Sequence, residues 1–369
     1  MQNKYIWQIP DWSQFKWQDR ELLKILGKAR AAQSQLLTRV KSLRLEEQDW
    51  AHQELLLEEA LQTASIEGEK YKRNSIRSSI AKHLGLPGGR TQKTEPRVDG
   101  LVQVLLDATQ KYNEPLTKNR LKSWHASLFP TGYSGLHKIE VGEWRSEPVM
   151  VVSGAIGKEK IHYEGLPAKL VDEEMNSFLS WWKDSSQLDG LLRAAIVHFW
   201  FVMVHPFADG NGRIARVLTD MVLAQDEHLS NRYYSLSSQI MDERAKYYDI
   251  LQQCQVAKRD ITPWIEWFLT TFIKATDKSK ILLSLVLEKA DFWRKHHDVI
   301  LSSRQRKVLN KLLDVGRGNF KGGLTTRKYA ALTKTSKATA FREIDHLLKQ
   351  GLIKKNRGEG RSVSYDLSW

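Results

Sequence analysis

Twelve contiguous residues, His205-Pro-Phe-Ala-Asp-Gly-Asn-Gly-Arg-Ile-Ala-Arg216, hold the groups in this chain best suited to chemistry. His205 is the only side chain among them that titrates near neutrality, so it can take a proton from a weak nucleophile. Pro206 stops a preceding helix. Gly210 and Gly212 let the backbone approach a ligand without a Cβ in the way. Asn211 and Gly212 open the next helix, whose free N–H groups make an anion site. Arg213 and Arg216, three apart, share one face of that helix and suit a polyphosphate. Asp209 would be repelled by bare phosphate but fits a Mg²⁺ that bridges phosphate oxygens. Together these parts describe phosphate handling with a general base beside it. Each residue also has a plainer reading. Asp209 caps a helix, His205 is a core histidine, the glycines make a turn and the arginines are a solvated face. Twelve adjacent residues with every part in place favour the joint reading.

These residues must be positioned by helices. Ala194–Val204 is an apolar run interrupted by His198, too short to span a bilayer, and reads as a buried helix leading into His205. The pattern predicts helices over Asn211–Gln225, Ser238–Gln255 and Thr262–His296 after it, and over Val98–Tyr112, Lys118–Leu128 and Ala168–Lys183 before it. The first 84 residues read as helical, with apolar stripes from Leu22 to Val40 and from Trp50 to Ala64. Gly85–Pro96 reads as a loop. The chain turns repeatedly between Pro130 and Gly142. Val149-Met-Val-Val-Ser and Lys160-Ile-His-Tyr flank Gly154-Ala-Ile-Gly157, which predicts a β-hairpin flap among helices.

The tail differs. Leu301–Trp369 carries sixteen Lys+Arg against five Asp+Glu, a net of +11 out of +14 for the whole chain. The pattern predicts helices over Arg304–Leu313, Thr325–Leu332 and Ser336–Gln350, the last capped by Ser336. Two strands follow, Leu352-Ile-Lys-Lys and Val363-Ser-Tyr-Asp-Leu, around the tip Gly358-Glu-Gly-Arg361. Helix, helix–turn–helix and hairpin is the winged-helix order. Lys334, Lys337 and Arg342 lie on or beside the helix that would enter a major groove, and Lys354, Lys355, Arg357 and Arg361 would reach phosphates from the wing. Duplex DNA is therefore a candidate partner of the tail, with a protein partner as the alternative.

Thirteen tryptophans are scattered along the chain and are expected to fill helix interfaces. The single cysteine, Cys254, rules out an internal disulfide or a cysteine-based metal centre, and reads as a small buried apolar residue. The eleven histidines show no ligand spacing; His296 and His297 diverge on a helix. The amino terminus lacks the apolar core of a signal peptide, and a cytoplasmic location without membrane attachment is expected.

The stretch from His205 to Arg216 resembles the signature of Fic-domain proteins, His-x-Phe-x-Asp/Glu-Gly-Asn-Gly-Arg-x-x-Arg, at every fixed position, and the resemblance covers roughly Leu101 to Phe272. It implies a mainly α fold: a Fic-type helical core with a β-hairpin flap, a helical extension at residues 1–97, the catalytic domain at 98–298 and a winged helix at 299–369. It implies transfer of AMP from ATP, with Mg²⁺, to a Ser, Thr or Tyr hydroxyl of a target protein, with His205 as the base. Asp209 would hold the metal, Gly210, Asn211 and Gly212 would cradle phosphate, Arg213 and Arg216 would hold the remaining charge, and Phe207 would anchor the loop. Tyr247, Tyr248 and Gln255 fall where relatives contact adenine, Gln255 standing in for a more usual Asn. Upstream, Thr63-Ala-Ser-Ile-Glu-Gly68 resembles the family's inhibitory motif, in which Glu67 would pair with Arg216 and block productive ATP placement. The same Glu in some relatives positions water to remove AMP. A homodimer that controls Glu67 fits this picture. Tyr5-Ile-Trp-Gln-Ile-Pro-Asp-Trp12 and Gly358-Glu-Gly-Arg-Ser362 resemble a bacterial subgroup with both extensions. A DNA-binding regulator whose Fic body senses nucleotide is the alternative function.

Overall fold

An apolar helix needs apolar neighbours on every side, and this requirement organises the middle of the chain. The computed structural model describes residues 5–86, 94–153, 160–256, 258–357 and 363–369. Helix α1 spans Asp19–Lys41, α2 Leu45–Ile66, α3 Arg73–His83, α4 Pro96–Gln110 and α5 Lys118–Leu128. Then come α6 Val171–Asp184, α7 Gly190–Val204, α8 Asn211–Glu227, α9 Leu236–Asp242, α10 Arg244–Cys254 and α11 Thr262–Lys295. In α7 every residue but Val202 is buried. Its interruption, His198, is structural: Nδ1 meets Thr219 Oγ1 and Nε2 meets the Tyr247 hydroxyl, both at 3.0 Å. Burial pushes that imidazole down to about 3, so it stays neutral.

Two compact units are present. The first comprises residues up to Ser42 together with His52–Ser279; the second comprises Leu43–Ala51 with Lys280–Trp369. Within the first, α4 and α5 approach so closely that a Cβ on Gly100 would lie 1.8 Å from the Ser127 carbonyl oxygen. Strands β1 (Tyr133–Ser134) and β2 (His137–Lys138) make a small antiparallel pair inside the segment read as turns. Strands β3 (Met150–Ser153) and β4 (Lys160–Glu164) form the expected hairpin. Its Gly154–Gly157 turn lies outside the described residues, as does much of the Gly85–Pro96 loop.

One expected helix is two. The stretch read as Ser238–Gln255 breaks at Glu243, whose backbone (φ −117°, ψ 30°) leaves the helical region between α9 and α10. The Glu243 carboxylate is held there by Lys274 at 2.7 Å and Gln239 at 2.6 Å, a tertiary restraint that periodicity does not reveal. Cys254 is buried, and burial pushes its thiol up to about 11. No helix among the described residues is long and apolar enough to cross a membrane.

The second unit has its own core, with Leu309, Leu312, Tyr329, Ile344, Leu347 and Ile353 at its centre. It contains α12 (Ser303–Val315), α13 (Thr326–Thr333) and α14 (Lys337–Lys349), followed by the antiparallel pair β5 (Ile353–Lys355) and β6 (Tyr365–Leu367). Ser302, Thr325 and Ser336 each cap one of these helices by accepting a backbone N–H. Lys334 ends α13 in the left-handed region at φ 53° and makes the turn into α14.

Candidate active site

The loop between α7 and α8 is built by its own side chains. His205 closes α7 in the left-handed region (φ 51°, ψ 58°), a backbone state that costs a non-glycine residue roughly 1–2 kcal/mol. Phe207 is fully buried and stacks on His125, with ring centroids 4.2 Å apart and planes 2° from parallel. His125 accepts the Gly142 N–H at Nδ1 (3.0 Å), and burial pushes it down to about 4, so it packs as a neutral ring. The Asn211 carboxamide bridges the loop, accepting the Phe207 N–H at 2.9 Å and donating to the Phe207 carbonyl at 2.8 Å. Asn211 thus clamps the loop with its side chain and leaves only its backbone for a ligand. Gly210, the N-cap of α8, sits at φ 78°, and a Cβ there would meet the Phe129 ring at 2.8 Å. No side chain caps α8, so its first N–H groups stay available.

A cavity of about 240 Å³ opens beside this loop. Of the residues singled out from the sequence, His205, Asp209, Asn211, Gly212, Tyr247, Tyr248, Gln255 and Glu67 line it. Gly210, Arg213 and Arg216 are not among its lining residues. His205 bonds the Val202 carbonyl through Nδ1 at 3.2 Å. A carbonyl only accepts, so Nδ1 carries the proton and the Nε2 lone pair is free to take another. Burial lowers this imidazole below its ordinary 6.5, with Arg145 adding to the effect and Glu67 and Asp209 opposing it, so the ring is neutral near pH 7.

Both arginines are held by one turn at the end of α2. Arg216 donates from Nε to Thr63 Oγ1 at 2.7 Å, and from Nη2 to the Thr63 carbonyl at 3.0 Å and the Glu67 carboxylate at 2.6 Å. Arg213 pairs with Glu69 at 3.1 Å and lies over the Phe129 ring at 4.8 Å. Gly68, at φ 83°, turns the chain so that Glu67 and Glu69 both face α8. Glu67 comes so close to that helix that a Cβ on Gly212 would lie 2.3 Å from its Oε1. Arg216 Nη1 and Arg213 Nε are buried and lack a hydrogen-bond partner among the described residues.

Asp209 accepts the Gly210 N–H at 2.5 Å, and its other oxygen bonds the Ser134 hydroxyl. The described residues hold no group of three or more His, Cys, Asp or Glu that could cage a metal. One partly exposed carboxylate is nevertheless the donor set that Mg²⁺ accepts when phosphate oxygens and water complete its shell. On that chemistry Asp209 fits the ion.

Reading the sequence missed four residues here. Glu69 lies outside the motif that singled out Glu67. Ser134 sits in a stretch that reads as turns, and Arg145 falls between that stretch and the predicted hairpin. Gln252, which lines the cavity, is one polar residue in a helical pattern. None carries a local signal, because each acquires its neighbour from a distant segment.

The fold is mainly helical and Fic-like. Residues 115–223 match the Fic/DOC family, and residues 5–86 match a domain of unknown function, DUF4172. The chain carries a Fic/DOC domain preceded by that domain. It is 25% identical over 210 residues to protein adenylyltransferase fic-1 of Caenorhabditis elegans, covering 56% of this chain and 37% of that protein. It is 29% identical over 209 residues to protein adenylyltransferase Fic of Nematostella vectensis, covering 55% and 44%. The matches therefore span less than half the length of these relatives. Among solved structures, a Fic family protein from Desulfovibrio desulfuricans G20 superposes with a TM-score of 0.53 at 18% identity, covering 94% of this chain and 95% of that one. Residues 134–508 of C. elegans Fic-1 give 0.51 at 20% identity, covering 73% and 74%.

Proposed function

We propose that this chain transfers AMP from ATP to a Ser, Thr or Tyr hydroxyl of a protein, and that Glu67 holds the activity off. The observation that carries the reading is the convergence on one cavity of a neutral His205 with Nε2 free, an uncapped helix N-terminus, and the Glu67 lock on Arg216. ATP would place its phosphates at the start of α8, its adenine toward Tyr247, Tyr248 and Gln255, and its γ-phosphate where Glu67 now meets Arg216. Asp209 would hold the Mg²⁺, which offsets charge on the phosphates. The acceptor hydroxyl gives its proton to His205 Nε2 while its oxygen attacks the α-phosphorus. The bond to the β-phosphate oxygen breaks, and pyrophosphate leaves with that electron pair. Arg213 and Arg216, once released from Glu69 and Glu67, would face the departing charge. Mass spectrometry of the Glu67→Gly chain incubated with ATP and Mg²⁺ is expected to show AMP added to the chain itself or to a supplied acceptor protein. Hydrolysis of ATP without any adduct would reject transfer.

A second reading concerns the tail. We infer that the unit at the carboxyl end is a winged helix that binds duplex DNA. Lys334, Lys337 and Arg342 are exposed, and none forms an ion pair among the described residues. Lys354, Lys355 and Arg357 are likewise exposed on and after β5, while Arg361 lies outside the described residues. A salt titration of the full chain on duplex DNA checks this. Changing Lys334, Lys337 and Arg342 together to Ala is expected to flatten the slope of log affinity against log salt by up to about 3, since each phosphate contact contributes roughly 0.9. Absence of binding at low salt would leave protein docking as the use of this face.

A further inference from the structure

The carboxyl end of α7 presents an unusual accounting problem. The last four carbonyls of a helix need donors from outside it. The common solution, a turn in which the next two residues donate back, fails here because Pro206 has no N–H. The donors found instead are specific. His205 N donates to the Phe201 carbonyl at 3.0 Å, and His205 Nδ1 to that of Val202 at 3.2 Å. The Tyr163 hydroxyl, from β4, donates to Met203 at 2.6 Å. Arg145 supplies the rest. Its Nη2 reaches the Val204 carbonyl at 3.4 Å, its Nε the His205 carbonyl at 2.7 Å, and its backbone N–H the Pro206 carbonyl at 2.9 Å.

The same guanidinium grips the base of the flap. Arg145 Nη1 donates to the Glu147 carbonyl at 2.9 Å, and Nη2 also donates to that of Leu166. Arg145 is 3% exposed, and among the described residues no carboxylate pairs with it. A buried cation without a counter-ion is costly to keep and must be compensated by directed hydrogen bonds. Here every acceptor of the side chain is a neutral carbonyl, and two of them are those of Val204 and His205.

We propose that Arg145 is the positioning residue of the candidate base: it holds the left-handed backbone at His205, and the flap base against it, so that Nδ1 faces Val202 and Nε2 faces the cavity. This rests on His205 being the proton acceptor of the proposed reaction. Lys in its place would keep the charge but has no planar fork with which to reach carbonyls on both sides. The positive charge also suits the carboxyl end of a helix, and it contributes to keeping His205 neutral.

The test uses the full chain with Arg145→Gln or Arg145→Lys, with His205→Ala to assign the ring signals. Long-range nitrogen–proton NMR reports which ring nitrogen of His205 carries the proton above its titration range. Initial rates of the same variants in the Glu67→Gly background report kcat and KM for ATP separately. The wild-type ring is expected to be the Nδ1–H form and the Gln variant a mixture of both tautomers. In the Gln variant kcat is expected to fall roughly ten- to hundredfold, with KM for ATP little changed, as small misplacements of a reacting group do. The Lys variant should lie between. An unaltered ring spectrum in a folded Gln variant overturns the proposal, as does a loss confined to ATP affinity and thermal stability. If the Gln variant fails to fold, the Lys variant is judged by the same two outcomes. If the Glu67→Gly chain transfers no AMP, the proposed function fails while the ring spectrum still decides the role of Arg145.

Discussion

His205→Ala is expected to lower AMP transfer by on the order of a hundredfold to ten-thousandfold, the range set by loss of a general base. No other group lining the cavity can replace it. Asp209 is already engaged by Ser134 and Gly210, and Glu67 by Arg216. The fold should survive, because among the described residues the side chain makes a single bond, to Val202, worth about 1 kcal/mol. ATP affinity should be retained, since the proposed phosphate and adenine contacts lie elsewhere. The pH profile gives an independent check. Only neutral His205 can accept a proton, and its titration is displaced below 6.5, chiefly by burial. Activity should therefore be flat near neutrality and fall on an acid limb below 6.5. A limb above 6.5, or near-normal AMP incorporation by a folded His205→Ala chain, would falsify the assignment.

Glu67→Gly should act in the opposite direction. In the present arrangement Arg216 is 2% exposed and its only carboxylate partner among the described residues is Glu67. A charged hydrogen bond of this kind contributes about 1.5–3 kcal/mol, so its removal should favour the productive mode of ATP by roughly ten- to hundredfold. Self-modification and transfer to an acceptor should rise together. The nucleotide-free variant should melt at a lower temperature than wild type, because a buried guanidinium has lost its counter-ion. ATP with Mg²⁺ should restore more stability to the variant than to wild type, since a γ-phosphate returns that charge. Initial rates and thermal shifts with and without ATP measure both effects. Equal or lower activity in the variant would defeat the inhibitory reading. A fall would point instead to Glu67 placing water for AMP removal. Glu69 holds Arg213 from the same turn, so full release of both arginines requires that turn to move as a piece.

The local features were legible in the residues themselves. The Asn211 start of α8, the boundaries of α5 at Lys118 and Leu128, and the cap at Ser336 follow from side-chain and backbone preferences within a few positions. The flap strands followed from β-prone runs about a glycine turn. Where an outcome depended on a distant partner, the pattern was silent. The expected helix splits at Glu243, whose carboxylate pairs with Lys274, 31 positions away. The Asn211 side chain turns inward on Phe207 instead of facing a ligand.

What the sequence alone determined is the set of reactive groups and their order along one loop. Twelve adjacent residues must share a neighbourhood whatever the rest of the chain does, so their chemistry is a local property. What only the tertiary structure decided is the state of those groups. The tautomer of His205, the partners of Arg213 and Arg216, and the burial of Arg145 are set by residues up to 153 positions away in the chain. Charge, proton affinity and hydrogen bonding depend on distance in space, and folding alone fixes those distances.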